Sequence, residues 1–135
     1  MKRASALALL LFAACLAASA AAADLYVIAN PAVDLQSGDV RDVFLGEKQF
    51  AGSVRLHPVD NAAAQEAFLS KVLNLSPAAY TTAWTKKAFR QGLTQPPLRA
   101  NDAEVIEFVR RTEGAVGYVG RTPPGGVKVL QKLAN

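Results

Sequence analysis

The stretch from Val54 to Phe68, VRLHPVDNAAAQEAF, constrains the fold of this chain more than any other part of it. Up to Val59 it is rich in apolar and β-branched residues, which is typical of a strand. After Asp60 and Asn61 the composition changes to alanine and other helix formers. The stretch therefore predicts a strand, a turn and a helix. In an open α/β sheet, ligands bind at such junctions, where helix N-termini present N–H groups to anions.

Residues 1–23 have the pattern of a secretory signal peptide. A short basic start is followed by an uncharged, mostly apolar run up to Ala18 and then by small residues, as at an A-x-A cleavage site. The run is shorter than the roughly 20 residues that a membrane-spanning helix needs. We therefore expect cleavage near Asp24, a periplasmic or secreted product with no membrane span after cleavage, and one folded domain over residues 24–135.

Cys15 is the only cysteine and lies within this leader. It is either a discarded leader residue or, in a lipoprotein cleavage box formed by residues 12–15, the lipidated N-terminus. Phe12 and Leu16 fit such a box poorly, which favours the first alternative. In both cases the folded part has no thiol, which excludes disulfides, thiolate nucleophiles and cysteine metal sites.

Charge and motif content argue against several classes of function. Loss of Lys2 and Arg3 with the leader lowers the basic count from 15 to 13 against 11 acidic residues, a net charge of about +2. A nucleic-acid-binding protein needs a concentrated basic face, so no nucleic-acid partner is expected. The chain has no G-x-S-x-G, H-E-x-x-H or Walker motif. Its only histidine, His57, is interpreted as a half-buried strand residue rather than a ligand or base. We expect no enzyme, no metal site and no cofactor.

Apolar periodicity and capping residues predict the remaining elements. The predicted strands are Leu25–Ala29, a stretch ending at Pro58, Ala115–Val119 and an edge strand at Val127–Leu130. The predicted helices are capped at their starts or ends by Ser37 and Gly46, by Ser76 and Gly92, and by Asn101 and Gly114, with a further helix after Asn61. Residues 92–99 predict a surface loop. Strands separated by helices favour an α/β fold, with a mainly parallel sheet flanked by helices on both faces.

Three segments in combination resemble one protein family: Val43–Gly46 at a helix end, Asp60–Phe68, and Glu113–Val119. Periplasmic phosphate-binding proteins of ABC transporters carry an IFLGK-like helix end, an R-x-D-G-S-G-T-x-x-x-F strand-to-helix turn and a G-A-I-G-Y-V strand in this order. The opening LYVIANPAVD also resembles that family's strand leading back into its second lobe. The match covers nearly all of the mature chain but only about half of such a two-lobe protein. The resemblance implies one lobe of a periplasmic-binding-protein-like fold.

The family's turn motif is only partly matched. Asp60 and Phe68 stand at its aspartate and phenylalanine, whereas its arginine position is Pro58, its glycine before the serine is Asn61, and its Ser-Gly-Thr is Ala62-Ala63-Ala64. The missing hydroxyls and guanidinium would supply charge-assisted hydrogen bonds to phosphate, worth roughly 1.5–3 kcal/mol each. Tight phosphate binding is therefore not expected, and the backbone N–H groups at residues 62–64 remain as donors for a loosely held anion.

The resulting hypothesis is an exported, non-enzymatic domain related to phosphate ABC transporter substrate-binding proteins, with a degenerate anion site. The site residues are Asp60, Asn61, Ala62, Ala63 and Ala64. A small oxyanion would be bound weakly, and because one lobe cannot enclose a solute, a second copy or another periplasmic protein would complete the cleft. Asp60 alone is equally well interpreted as a turn or N-cap residue. The alternative function is a periplasmic protein-interaction module that has lost solute binding, which predicts an apolar patch on the carboxyl edge of the sheet.

Overall fold

The computed structural model of the protein describes residues 24–134. Its strands are β1 Leu25–Ala29, β2 Phe50–Ala51, β3 Val54–Arg55, β4 His57–Pro58, β5 Asp60–Asn61, β6 Leu98–Arg99, β7 Ala115–Val119 and β8 Lys128–Leu133. Its helices are a 3-10 turn Ser37–Asp39 leading into α1 Val40–Phe44, α2 Gln65–Phe68 continuing as a π-helix Leu69–Leu73, α3 Pro77–Gln91 and α4 Asp102–Arg111.

The predicted leader, including Cys15, lies outside the described residues, so the signal peptide stays a prediction. Within residues 24–134, none of the helices is both long and apolar enough to cross a membrane.

The main sheet has four strands in the order β4-β7-β1-β8. β1 pairs antiparallel with β7, where Tyr26 lies opposite Val119, and antiparallel with β8, where Leu25 lies opposite Leu133. Only β4 and β7 are parallel in this sheet. The α/β class is confirmed, whereas the predicted mainly parallel direction is wrong. A helix between consecutive strands implies a parallel pair only when those strands become neighbours, and here β7 separates β1 from β4.

Helices cover both faces of the sheet, as predicted. Successive side chains of a strand point to opposite faces, so Val27 and Tyr118 pack in the cluster with α1, α2 and α3. Ile28 and Val119 lie on the other face in the cluster with α4. Burial on both faces explains why β1 and β7 are continuous apolar runs, and all five residues of each are buried.

The predicted caps are confirmed at both ends of α3 and at the start of α4, whereas α4 ends at Arg111 with Thr112 rather than the predicted Gly114 as its C-cap. The Ser76 side chain accepts a hydrogen bond from the first turn of α3, and Gly92, at φ 67°, ends that helix in the left-handed conformation. The Asn101 side chain accepts the Glu104 N–H at 3.0 Å. The Glu104 carboxylate in turn accepts the N–H of Ala100, the residue before this cap, at 2.9 Å.

The segment around the central turn is built differently from the prediction. Residues 54–61 are three short strands with separate partners, since β3 pairs with β2, β4 with β7 and β5 with β6. β6 lies in the segment 92–99 for which a loop is predicted, and it runs parallel to β5. Pro58, Pro96 and Pro97 have no N–H to donate, which keeps these pairings short. The turn after Asn61 is therefore held by a small second sheet.

Candidate functional site

Asp60 points into the core and is only 1% exposed. Its carboxylate accepts hydrogen bonds from the Tyr80 hydroxyl at 2.6 Å and from the Tyr118 hydroxyl at 2.8 Å, one on each oxygen. α3 supplies Tyr80 and β7 supplies Tyr118. The carboxylate therefore joins the strand segment, a helix and the main sheet. We call these three residues the tyrosine–carboxylate cluster.

Burial dominates the electrostatics of this cluster. Loss of hydration raises the pKa of Asp60 above its ordinary value of 3.8, and the hydrogen bonds from Tyr80 and Tyr118 oppose that rise. Burial, and after it the neighbouring Asp60 charge, raises the pKa of both tyrosine hydroxyls. Both hydroxyls therefore remain protonated donors at neutral pH, directed at the carboxylate between them.

Phe68, the second residue that matches the family's turn motif, also belongs to the core. Its ring stacks on the Tyr118 ring, with centroids 3.9 Å apart and 5° between the planes. Its other neighbour is the Phe44 ring, with an edge contact at 4.6 Å. The two motif residues that this chain retains thus pack behind the turn.

Asn61 is fully buried and acts as a connector. Its side-chain amide donates to the Asp102 carboxylate at 2.7 Å and to the Tyr118 carbonyl at 2.9 Å. Its side-chain oxygen accepts the N–H of Ala63 at 3.0 Å. The residue therefore links β5 to β7, to the first turn of α4 and to the turn that follows it.

The three alanine N–H groups of the predicted anion site all donate within the protein. Ala62 donates to the Arg99 carbonyl at 2.8 Å, and Ala64 donates to the Asn61 carbonyl at 3.1 Å. Ala63 donates to the Asn61 side chain. Each of these N–H groups therefore already has an acceptor within the chain, and anion binding at residues 62–64 stays a prediction.

Asp102 also lies at this edge, although it is not among the site residues predicted from the sequence. One carboxylate oxygen accepts from Asn61 and the other accepts the N–H of Gly120 at 3.2 Å. A carboxylate of the chain itself thus lies at the end of β7 and at the positive end of α4. The sequence does contain a signal for this role of Asp102, which lies on the same predicted helix face as Val105 and Val109. A carboxylate on an apolar helix face indicates a polar partner inside the protein.

One depression lies at this edge and another lies at the opposite end of the 57–61 segment. The first is open, measures about 310 Å³, and is lined by Ala63, Asn101, Asp102, Ala103 and Arg121. The second measures about 370 Å³ and includes exposed His57, together with Arg55 and Trp84, in its lining. Within residues 24–134, no group of three or more His, Cys, Asp or Glu side chains could hold a metal ion.

Sequence comparisons find no relative, whereas comparison of the fold does. No protein-family model matches the chain, and no curated protein is significantly similar to it. Among solved structures, the chain is similar to PstS from Borrelia burgdorferi, with a TM-score of 0.53 and 17% identity over 73% of this chain and 41% of that one. An ABC-type phosphate transport receptor from Vibrio cholerae has a TM-score of 0.47 and 15% identity over 82% of this chain and 47% of that one.

The chain spans less than half the length of either receptor. It is a mixed α/β domain with the fold of a single lobe of a periplasmic-binding-protein-like structure, as the sequence resemblance implies.

Proposed function

We propose that the protein is an exported, non-enzymatic domain of the solute-binding type whose carboxyl edge no longer binds phosphate tightly. The single-lobe fold and the leader pattern of residues 1–23 support this proposal. The observation that carries it is the internal use of the candidate donors. The N–H groups of Ala62, Ala63 and Ala64 donate to the chain itself, and that of Gly120 donates to Asp102.

A phosphate at this edge would have to displace these bonds and approach the Asp102 carboxylate. Each internal hydrogen bond contributes about 0.5–1.5 kcal/mol, and its loss offsets part of the roughly 1.5–3 kcal/mol that a hydrogen bond to phosphate would contribute. Two like charges about 4 Å apart near a protein surface repel by up to about 4 kcal/mol. Arg121 is the only cation that lines the depression, and an exposed ion pair contributes about 0–1 kcal/mol. The loss of internal hydrogen bonds and the repulsion by Asp102 together weaken phosphate binding at this edge.

Calorimetric titration of the mature chain with phosphate and with sulfate tests the proposal. We expect no saturable binding below millimolar concentrations. Asp102→Asn removes the charge at nearly constant size, so it should strengthen phosphate binding about tenfold, which corresponds to roughly 1.4 kcal/mol.

Glu107→Gln is the matched control, since it removes an exposed carboxylate from the same helix. Submillimolar phosphate binding by the wild-type monomer would contradict the proposal. So would an Asp102→Asn variant that binds no better than the Glu107→Gln control.

The second candidate function, a protein-interaction module, is favoured by the exposure of large apolar side chains. Phe89 on α3 is 91% exposed and Leu98, beside β5, is 57% exposed. The depression at the carboxyl edge itself is lined by alanine and polar residues rather than by an apolar patch. Pull-down of partners from the envelope fraction, with light scattering of the purified protein for its oligomeric state, distinguishes the two candidates. Association of the protein with a partner or with a second copy that Phe89→Ser abolishes would support an interaction module.

A further inference from the structure

The larger depression lies at the start of β4, apart from the carboxyl edge. Apolar walls are supplied by Trp84 from α3, by Leu93 from the following loop and by Phe108 from α4. Its rim is basic, and we call it the basic cleft. The extended segment from His57 to Asn61 separates it from the carboxyl edge by about 13 Å, at 3.3 Å per residue.

The charged side chains that line the basic cleft are all of one sign. Lys48 and Arg55 are cations, and none of the lining residues carries a carboxylate. The C-terminal ends of α1 and α3, near Gly46 and Gly92, also border it. Each helix end contributes about half a negative charge, so the two full positive charges outweigh them.

The apolar wall formed by Trp84 is rigid. The indole is only 3% exposed, and its N–H donates to the Phe44 carbonyl at 3.2 Å. Its six-membered ring fits against Gly46 so closely that a β-carbon there would lie 2.8 Å from the ring. The buried indole therefore holds this side of the basic cleft in place before a ligand binds, which lowers the cost of ordering the site.

We propose that the basic cleft binds a small organic acid, that is, a carboxylate carried on an apolar body. The volume of about 370 Å³ lies within the usual range of small-molecule sites. The apolar body would lie against Leu93 and Phe108, which are partly exposed, and close to the buried Trp84 indole. Its carboxylate would meet Arg55 and Lys48 at the rim. An inorganic anion fits less well, because it would leave the apolar walls in contact with water.

The intrinsic fluorescence of Trp84 tests this proposal, because it is the only tryptophan in the chain and it lines the cleft. The mature chain is titrated with 3-phenylpropanoate, 3-phenylpropan-1-ol and 3-phenylpropylammonium, which share one apolar body and differ in charge. We expect a saturable change with the carboxylate, binding about tenfold weaker with the alcohol, and weaker still with the ammonium ion. Equal affinity for all three probes would overturn the proposal, since apolar partition alone would explain it.

Side-chain variants locate the site. Arg55→Gln should weaken 3-phenylpropanoate binding about tenfold, and Lys48→Gln should also weaken it. Lys132→Gln removes one positive charge from β8, at the other edge of the main sheet, and should leave binding unchanged. Unchanged binding in both cleft variants, or an equal loss in Lys132→Gln, would show that the carboxylate binds elsewhere or responds only to net charge.

Inorganic phosphate separates this proposal from the one made for the carboxyl edge. We expect phosphate neither to change Trp84 fluorescence nor to compete with 3-phenylpropanoate, whatever its affinity for the Asp102 edge. Competition by phosphate at submillimolar concentration would overturn the assignment to a small organic acid. Such competition would not affect the proposal for the carboxyl edge, which the calorimetric comparison of Asp102→Asn with Glu107→Gln tests separately.

Discussion

Polar groups at the two ends of the 57–61 segment differ in burial and in hydrogen bonding. At the Asn61 end, polar groups have partners inside the protein: Asp60 accepts from two tyrosine hydroxyls, and Asn61 pairs with Asp102 and with the N–H of Ala63. At the His57 end, Arg55 and His57 are exposed and line a depression without carboxylates. A buried polar group must be paired to avoid a desolvation cost, whereas an exposed cation keeps its hydration. The first end therefore stabilises the fold, and the second remains open to a ligand.

The largest effect is expected from Asp60→Ala, which breaks the buried end. It leaves the Tyr80 and Tyr118 hydroxyls in the core without their acceptor, and we expect a loss of about 3–5 kcal/mol in the free energy of unfolding. Urea denaturation of the variant measures this loss.

Asp34→Ala, at an exposed position, is the control and should change stability by less than about 0.5 kcal/mol. If the two variants were equally stable, the tyrosine–carboxylate cluster would have no role in holding the fold together.

A smaller effect, confined to part of the pH range, is expected from Asp60→Asn. Because the pKa of Asp60 is raised in the folded protein above 3.8, the folded state holds a proton that the unfolded chain releases. The contribution of this proton is fully present below pH 3.8 and is lost as pH rises through the folded pKa. The asparagine variant lacks it, so the stability of the wild type relative to the variant should fall with rising pH, by at most about 1.4 kcal/mol per pH unit.

Urea denaturation of both proteins over this range measures that difference, and ionisable groups common to both cancel. If the stability of the wild type relative to the variant increased with pH instead, the pKa of Asp60 would be lowered in the folded protein. The two tyrosine hydrogen bonds would then outweigh burial in setting the pKa of Asp60.

The smallest effect on stability is expected at the open end, from Arg55→Gln. Since Arg55 is exposed, its replacement should change the free energy of unfolding by less than about 0.5 kcal/mol. Thermal unfolding followed by circular dichroism checks this, and the same sample serves for the binding titration. A loss above about 2 kcal/mol would remove the contrast between the two ends, because both would then be structural.

Local signals predict the parts of the fold that local interactions determine. Ser76 and Gly92 correctly mark the two ends of α3, and Asn101 correctly marks the start of α4, because a cap is decided by residues within one turn of it. The apolar runs predict β1 and β7 correctly for a similar reason. The direction of the sheet and the short strand β6 are not predicted, because they depend on which distant segments become neighbours.

The same distinction applies to the candidate site. The stretch around Asp60 is correctly predicted to join a strand to a helix, but the partners of its polar groups come from far along the chain. The Asn61 side chain donates a hydrogen bond to Asp102 on α4, and the N–H of Ala62 donates one to the carbonyl of Arg99 on β6. A sequence motif does not show which distant groups will form hydrogen bonds with it. It therefore predicts free N–H donors that are hydrogen-bonded within the folded protein.

The antiparallel pairing of Leu25 with Leu133 brings the two ends of the described chain side by side. They lie at the edge where β7 ends, since Tyr26 faces Val119. A tether or a fused protein at either terminus would therefore emerge beside the depression at Asp102 and far from the basic cleft. A circular permutant with a short linker between these ends could open the chain elsewhere and leave the strand register intact.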